Sequence, residues 1–271
     1  MRGIMQLNFT KMHGLGNDFM IVEWPEGQPL PDPELIRLWG DRRLGVGYDS
    51  LLLIENGASY RVFNADGGEA EQCGNGARCI AAWLANGEPQ QIELISAAGA
   101  VDAKVGNSGV VSINLGRPRF APADLPFLAE AEADSYRLEL DSGPVELGIV
   151  SMGNPHAVIA VDSVADAPVG IIGAELNAHP AFPEGVNVGF AEKVSSAQIR
   201  LRVYERGVGE TRACGTGAAA AAATGRRRGE LDTRVTVGLP GGQLDVDWPG
   251  GTADLWQTGQ TTRVFEGLIE I

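Results

Sequence analysis

Cysteine is scarce in this chain, cations are outnumbered, and no long apolar run occurs. Three cysteines, Cys73, Cys79 and Cys214, stand among 271 residues. An odd and sparse count excludes a disulfide framework and suits reduced thiols in a cytoplasmic protein. Lys and Arg total 21 against 35 Asp and Glu, for a formal net charge of −14. That deficit argues against a nucleic-acid partner, whose phosphates call for basic patches. No stretch approaches the ~18 consecutive apolar residues of a membrane span. The start, Met1 to Gln6, lacks the apolar segment of a secretory signal. A soluble cytoplasmic chain, with neither membrane nor nucleic acid as partner, is the expectation.

Apolar residues make up 44% of the chain, enough for packed cores and too many for wholesale disorder. Glycine numbers 37, about twice the usual share and without a collagen-like period. Such a surplus points to many tight turns, or to backbone brought close to a ligand. The length suggests two domains.

Short strand-like runs bounded by Gly, Asp, Asn or Pro dominate the pattern. They fall at residues 7–11, 19–23, 51–55, 60–64, 91–96, 110–115 and 136–140, then 145–151, 157–161, 186–190, 199–205, 234–239, 243–247 and 262–265. Helical patterns are few: 34–39 after a proline, 74–86 and 215–224. The last two precede Gly87 and Gly225, read as left-handed C-terminal caps. Both are small or apolar nearly all round, including six consecutive alanines in the second. A helix without a polar face belongs inside something. The fold expected is α+β: two pseudo-symmetric domains, each a curved, mostly antiparallel sheet or barrel around a buried central helix. The first spans 1–120 plus about 260–271 and the second 121–259.

An internal repeat supports that duplication. Residues 61–76 align on 202–217 without a gap, with identities at Arg61/Arg202, Val62/Val203, Gly68/Gly209, Glu69/Glu210, Cys73/Cys214, Gly74/Gly215 and Gly76/Gly217. Each copy reads strand, polar loop, Cys-Gly-x-Gly, buried helix. The cysteine therefore sits at a helix N-terminus, where free amides and the positive dipole end favour anions. This placement lowers the pKa of a thiol toward neutrality. The amides at Gly74-Asn75 and Gly215-Thr216 are also suited to a substrate carboxylate. If the two helix ends faced one carboxylate, two thiols would flank the attached carbon, the arrangement a two-base racemisation requires. Pre-organised amide donors would stabilise the anion that forms.

The residues also carry a resemblance. Lys11-Met12-His13-Gly14-Leu15-Gly16-Asn17-Asp18-Phe19, Asn64-Ala65-Asp66-Gly67, Cys73-Gly74-Asn75-Gly76-Ala77-Arg78-Cys79, Gly153-Asn154-Pro155-His156-Ala157, Val186-Asn187-Val188-Gly189, and Glu205-Arg206-Gly207 with Ala213-Cys214-Gly215-Thr216-Gly217 occur in this order. Over essentially its whole length the chain resembles the diaminopimelate epimerase family. The resemblance implies cofactor-independent interconversion of L,L- and meso-2,6-diaminopimelate, a step toward lysine and bacterial cell-wall crosslinks, in a homodimer. It implies that Cys73 and Cys214 are the acid/base pair, with His156 and Glu205 tuning their ionisation. It implies substrate contacts from Asn17, Ser50, Asn64, Gly74, Asn75, Asn154, Asn187, Glu205, Arg206, Gly215 and Thr216. Asparagines, each with a planar donor and acceptor, suit a polar cage, and Arg206 suits a bidentate carboxylate clamp. One position departs: where family members carry glutamine or glycine after Gly47-Tyr48-Asp49, this chain has the shorter Ser50.

Blander readings cover the remaining features. Cys79 reads as a small apolar filler on its buried helix. A metal site from Cys73, Cys79 and His156 lacks a fourth soft ligand and the usual spacing, so no metal is expected. His13 reads as a loop residue and His179 as a surface one. The pairs Gly14/Gly16 and Gly45/Gly47 read as turns, since neither continues into a nucleotide-binding pattern. Arg226-Arg227-Arg228 suits a solvated helix C-terminus, and residues 130–134 an acidic linker. Three alternatives to the epimerase remain. One is a racemase of another amino acid on the same scaffold. Another is a hydrolase or transferase with Cys73 as nucleophile beside His156. The third is a non-catalytic, redox-switched binding protein that uses reversible Cys73–Cys214 bonding.

Overall fold

The computed structural model describes residues 5–70 and 73–270. The start at Met1 to Ile4, the repeat positions Glu71 and Gln72, and Ile271 lie outside the described residues. The chain divides into two compact units, Met1–Ile113 with Gly259–Ile271, and Asn114–Thr258.

In the first unit, β1 (Gln6–Gly14) pairs antiparallel with β2 (Asn17–Glu23). α1 (Pro33–Gly40) follows, its first turn capped by Asp32 Oδ1 accepting from the Leu35 amide at 2.8 Å. β3 (Ser50–Asn56) runs parallel to β2 and antiparallel to β4 (Ser59–Asn64). β4 folds back on the short β5 (Glu69–Ala70), and α2 (Gly74–Ala85) comes next. β6 (Gln90–Ser96) bridges in parallel to β4 and pairs antiparallel with β7 (Gly99–Val105). β7 pairs with β8 (Val110–Asn114), which completes this run of strands.

The second unit repeats this plan. β9 (Tyr136–Leu140) pairs with β10 (Gly143–Ser151), which pairs antiparallel with β11 (Pro155–Val161). α3 (Val169–Ala178) leads to β12 (Asn187–Ser195), parallel to β11 and antiparallel to β13 (Gln198–Glu205). β13 turns back on β14 (Gly209–Thr211), and α4 (Gly215–Arg227) follows. β15 (Arg234–Leu239) runs parallel to β13 and antiparallel to β16 (Gly242–Asp247). β17 (Trp256–Gln260) follows, and β18 (Thr262–Glu270) belongs to the first unit, where it pairs antiparallel with β1. From β1 to β7 and from β10 to β16, every element and every pairing sense corresponds. The sheets are therefore mostly antiparallel, with parallel joints at the same two places in each unit.

Equivalence extends to single side chains. On the β4–β5 hairpin, Arg61 makes two hydrogen bonds to the Glu69 carboxylate, both at 2.7 Å. On the β13–β14 hairpin, Arg202 does the same to Glu210 at 2.7 and 2.9 Å. A planar guanidinium holding a carboxylate by two parallel bonds fixes the hairpin register in each copy.

Composition explains why α2 and α4 lie inside. Every residue from Gly217 to Gly225 in α4 is buried, as are Asn75 to Ala81 in α2. Side chains no larger than methyl over most of α4 let the strands close on the helix backbone. The second glycine of each Cys-Gly-x-Gly motif also has a packing reason. A Cβ at Gly76 would sit 3.0 Å from Leu52, and one at Gly217 would sit 3.1 Å from Val203 and 3.2 Å from the Cys214 sulfur.

Several local expectations change. The left-handed turn after α2 begins one residue early, at Asn86 with φ of 46°, and continues at the expected Gly87 with φ of 90°. α4 does not stop at Gly225 but runs to Arg227; Gly225 lacks a Cβ because Leu231 packs directly on it. The left-handed turn there belongs to Gly229, with φ of 72°. The three arginines are not merely solvated. Arg227 lies 4.5 Å over the Phe120 ring and pairs with Glu132 at 2.9 Å and Asp134 at 2.7 Å, so it pins the acidic segment down. α3, β5, β7, β14 and β17 have no counterpart among the expected elements.

Because Ala220 is fully buried in α4, Ala220→Leu should overpack the unit and cost about 1–3 kcal/mol. Urea unfolding followed by circular dichroism checks this, with the midpoint falling at an unchanged slope.

Candidate functional site

Each unit carries one cysteine at the entrance of its buried helix. Cys73 is the N-cap of α2, with extended backbone, and its sulfur accepts from the Gly76 amide at 3.4 Å. The first amides of α2, at Gly74 and Asn75, have no acceptor within the helix. Beside the sulfur, Asn17 at the start of β2 places its Oδ1 4.0 Å from Cys73 Sγ and accepts from Asn75 Nδ2 at 3.2 Å. Asn75 Oδ1 in turn accepts from the guanidinium of Arg78, which is fully buried. Burial lowers the Arg78 pKa to about 10, while the neighbouring Cys79 and Cys73 favour its charge.

Behind Asn17 lies an ionic network that the sequence reading did not single out. Asn17 Nδ2 donates to Asp49 at 2.9 Å, and Arg42 bridges Asp49 and Asp18 at 2.7 and 2.8 Å. Lys11 bonds Asp18 at 2.6 Å and also the Gly47 carbonyl. Burial pushes the Asp18 carboxyl up, but hydrogen bonds and charge from Arg42 and Lys11 outweigh it and hold the group well below the carboxylate range. The network joins two short segments, Lys11 to Asp18 and Arg42 to Asp49, and nothing in the spacing between them announces the contact. Only the Gly45-x-Gly47 turn, read above as a turn, marks the place where Lys11 is received.

Ser50 and Asn64 are direct partners across the β3–β4 ladder. Ser50 is buried and Asn64 is exposed, with its backbone tied to Gly67 and Gly68. Cys79 is fully buried, which pushes its thiol up and suits a filler role.

In the second unit Cys214 is the N-cap of α4 and is buried. Its sulfur lies 3.7 Å from Thr216 Oγ1. Asn154 donates Nδ2 to Thr216 Oγ1 at 3.4 Å, and its Oδ1 meets His156 Nε2 at 2.9 Å. His156 thus reaches Cys214 through Asn154 and Thr216. It is completely buried, and burial followed by the charge of Arg206 lowers its pKa to about 3, so it is neutral.

Helix-end position alone suggested a lowered thiol pKa. For Cys214 the opposite holds: burial pushes it up, and the charge of Glu205 adds to this. The Gly217 amide and Thr216 hydroxyl pull the other way without reversing the result. Desolvation of the charged form exceeds what one helix end returns.

Glu205 also accepts from the Thr211 hydroxyl. Asn187 is buried with both ends of its amide engaged, Nδ2 on the Pro155 carbonyl at 3.0 Å and Oδ1 under the Arg206 amide at 3.0 Å. It shapes the loop that carries Arg206, whose guanidinium touches the Glu184 carbonyl at 3.2 Å. Gln257, buried and also unread in the sequence, donates to the Gly215 carbonyl at 2.7 Å and steadies the first turn of α4. Among the described residues no three His, Cys, Asp or Glu side chains gather as a metal site would require, and no helix is long and apolar enough to cross a membrane.

The sequence model of a family described as diaminopimelate epimerase matches residues 9–121 and 148–264, one stretch in each half of the chain. A diaminopimelate epimerase of Chromobacterium violaceum is 50% identical, covering 98% of this chain and all of the relative. One of Pseudomonas paraeruginosa is 46% identical over the same shares. Among solved structures, a hydroxyproline epimerase from Agrobacterium vitis superposes with a TM-score of 0.69 at 19% identity, covering 98% of this chain and 93% of that one. A methylitaconate-delta-isomerase gives 0.67 at 15% identity, covering 99% and 96%. At such identities these two speak for the fold alone.

The lowered pKa of His156 has a consequence for stability. An unfolded histidine titrates near about 6.5, so as pH falls the unfolded chain takes up its proton first. The folded state then loses ground from about pH 6.5 down toward about 3. His156→Gln should flatten this decline, as measured by urea midpoints at about pH 7 and about pH 5; equal slopes in both proteins would contradict it.

Proposed function

The chain belongs to the diaminopimelate epimerase family, and on that premise we propose a two-base reaction with Cys73 and Cys214 as the acid/base pair. The activity is an isomerase reaction, the interconversion of L,L- and meso-2,6-diaminopimelate. One thiolate removes the α-proton, leaving a carbanion and a new thiol. The other thiol then delivers its proton to the opposite face and becomes the thiolate. The amides at Gly74-Asn75 and Gly215-Thr216 hold the carboxylate next to the reacting carbon and stabilise the charge that develops there.

One observation carries this reading. The two cysteines are the N-caps of the two equivalent buried helices, at matching positions of a duplicated plan. The tuning roles divide between the units. Glu205 acts on Cys214 directly, whereas His156 acts through Asn154 and Thr216. Asn17, Asn64, Asn154, Asn187 and Arg206 supply the polar cage, with Arg206 facing the distal carboxylate. Ser50 belongs to the same wall but is short and buried. A cytoplasmic homodimer is part of the same proposal.

The test is hydrogen exchange in D2O over a panel of amino acids that includes diaminopimelate. With the wild-type protein, solvent deuterium should enter the product isomer well before it enters recovered substrate. Cys73→Ala and Cys214→Ala should each lower turnover by at least about a thousandfold, in keeping with the loss of an acid/base group and its timing. Full turnover by either variant, or exchange with another amino acid in place of diaminopimelate, would contradict the assignment.

A further inference from the structure

We propose that Asp49 is a positioning residue that, with Arg78, fixes the Asn17 amide so that its oxygen faces the Cys73 sulfur. The proposal rests on the reading of Cys73 as an acid/base group. It assigns a role to a side chain that contacts neither helix end.

The argument is one of polarity. An amide side chain can be turned end for end with little change in shape, so its partners must decide which end is oxygen. Asp49 is a carboxylate and accepts only. Its Oδ2 receives the Asn17 Nδ2 at 2.9 Å and the Asp18 amide at 3.1 Å, while Oδ1 receives Arg42 at 2.7 Å. The Asn17 end that faces Asp49 must therefore be the donor. At the far end of the chain Arg78 donates only, so Asn75 must turn its oxygen there and its Nδ2 toward Asn17. Donor-only Arg78, two amides and acceptor-only Asp49 form a chain with one allowed direction.

The consequence falls on the thiol. Asn17 Oδ1 lies 4.0 Å from the Cys73 sulfur, where an acceptor favours S–H. The Gly76 amide, 3.4 Å away on the helix side, favours the thiolate. Held between these opposed groups, Cys73 can both release and take up a proton. Tyr60 on β4, Arg78 and Cys79 on α2 also act on it electrostatically. Lys11, Asp18 and Arg42 stand behind Asp49.

The second unit supplies an internal contrast. By strand register Phe19 pairs with Ser50 as His156 pairs with Asn187, which makes Asn154 the counterpart of Asn17. There the Asn154 oxygen meets an imidazole nitrogen, which can donate or accept according to its tautomer, and its Nδ2 donates to the Thr216 hydroxyl. The same amide points opposite ends at the two helix entrances, and in the first unit a donor-only and an acceptor-only partner fix which.

The experiment measures the pH dependence of Cys73 alkylation by iodoacetamide, read by peptide mass spectrometry, with kcat and KM for epimerisation alongside. Asp49→Ala releases one anchor. The alkylation midpoint should move to lower pH, and kcat should fall about tenfold or more with KM within about threefold. Asp49→Asn can still offer an oxygen to Asn17 and the Asp18 amide, so it should restore both to within about threefold of wild type. Asn17→Ala removes the acceptor itself and should reproduce the lowered midpoint even if Asp49→Ala does not fold. An unmoved midpoint in a folded Asp49→Ala or in Asn17→Ala would overturn the proposal. So would an Asp49→Asn protein indistinguishable from Asp49→Ala, since charge and not direction would then be at issue. Epimerisation by Cys73→Ala would overturn the underlying reading instead, whatever the Asp49 variants do.

Discussion

A buried helix leaves amides at its N-terminus that must find acceptors, and here the acceptor offered is sulfur. An oxygen side chain at positions 73 and 214 would satisfy the first turn strongly, as Asp32 does for the exposed α1. A cysteine caps weakly, so the helix end keeps its appetite for an anion. Enclosing the helices serves the same end. With the strands close around α2 and α4, the low-dielectric surroundings of the helix bodies make each donor at their mouths count for more. Small residues through the helices and glycine at their third positions make that enclosure sterically possible.

Duplication supplies two such entrances, and divergence makes them unequal. The scaffold is kept to the level of the Arg61–Glu69 and Arg202–Glu210 clamps. The differences gather at the helix ends: Asn75 against Thr216, Asn64 against Glu205, Ser50 against Asn187. One cysteine is half-buried and faces an amide oxygen; the other is buried beside a carboxylate. Equal thiols would suit a reaction symmetric about the carbon, but an amino acid places its amine and side chain differently on its two faces. Unequal surroundings for the two groups are what such a substrate calls for.

What the sequence made legible was whatever depended on rarity or repetition. Cys73 and Cys214 stand out because cysteine is scarce and the surrounding Arg, Glu and Gly recur with them. Packing partners distant along the chain were not legible. Gly225 looks like a cap until Leu231 is seen lying on it. α3 opens behind Pro168 with no side-chain cap and shows no strong amphipathic stripe, so neither helix signal was present. The Asp49 network joins Lys11, Asp18, Arg42 and Asn17 across two strands and a loop, and spacing cannot reveal it. The raised Cys214 thiol is hidden for a related reason: helix-end position can be read from residues, whereas burial cannot.

The raised Cys214 thiol points to the logic of the site. A thiol lowered by a helix end is readily ionised but is a weak base, and the α-proton of an amino acid is a very weak acid. A thiol raised by burial is seldom ionised but is a stronger base when it is. General-base efficiency depends on the product of population and strength, so neither extreme serves. Burial and Glu205 push Cys214 toward strength, while the Gly217 amide and Thr216 hydroxyl preserve some population. A neutral His156, kept so by its own burial, orients Asn154 without adding a positive charge that would drain the thiolate of basicity. Arg78, buried and hydrogen-bonded to Asn75, is a cation that acts on Cys73 electrostatically. Among the hydrogen-bond partners of the two sulfurs are the Gly76 amide and Asn17 oxygen on one, and the Thr216 hydroxyl with the nearby Glu205 carboxylate on the other.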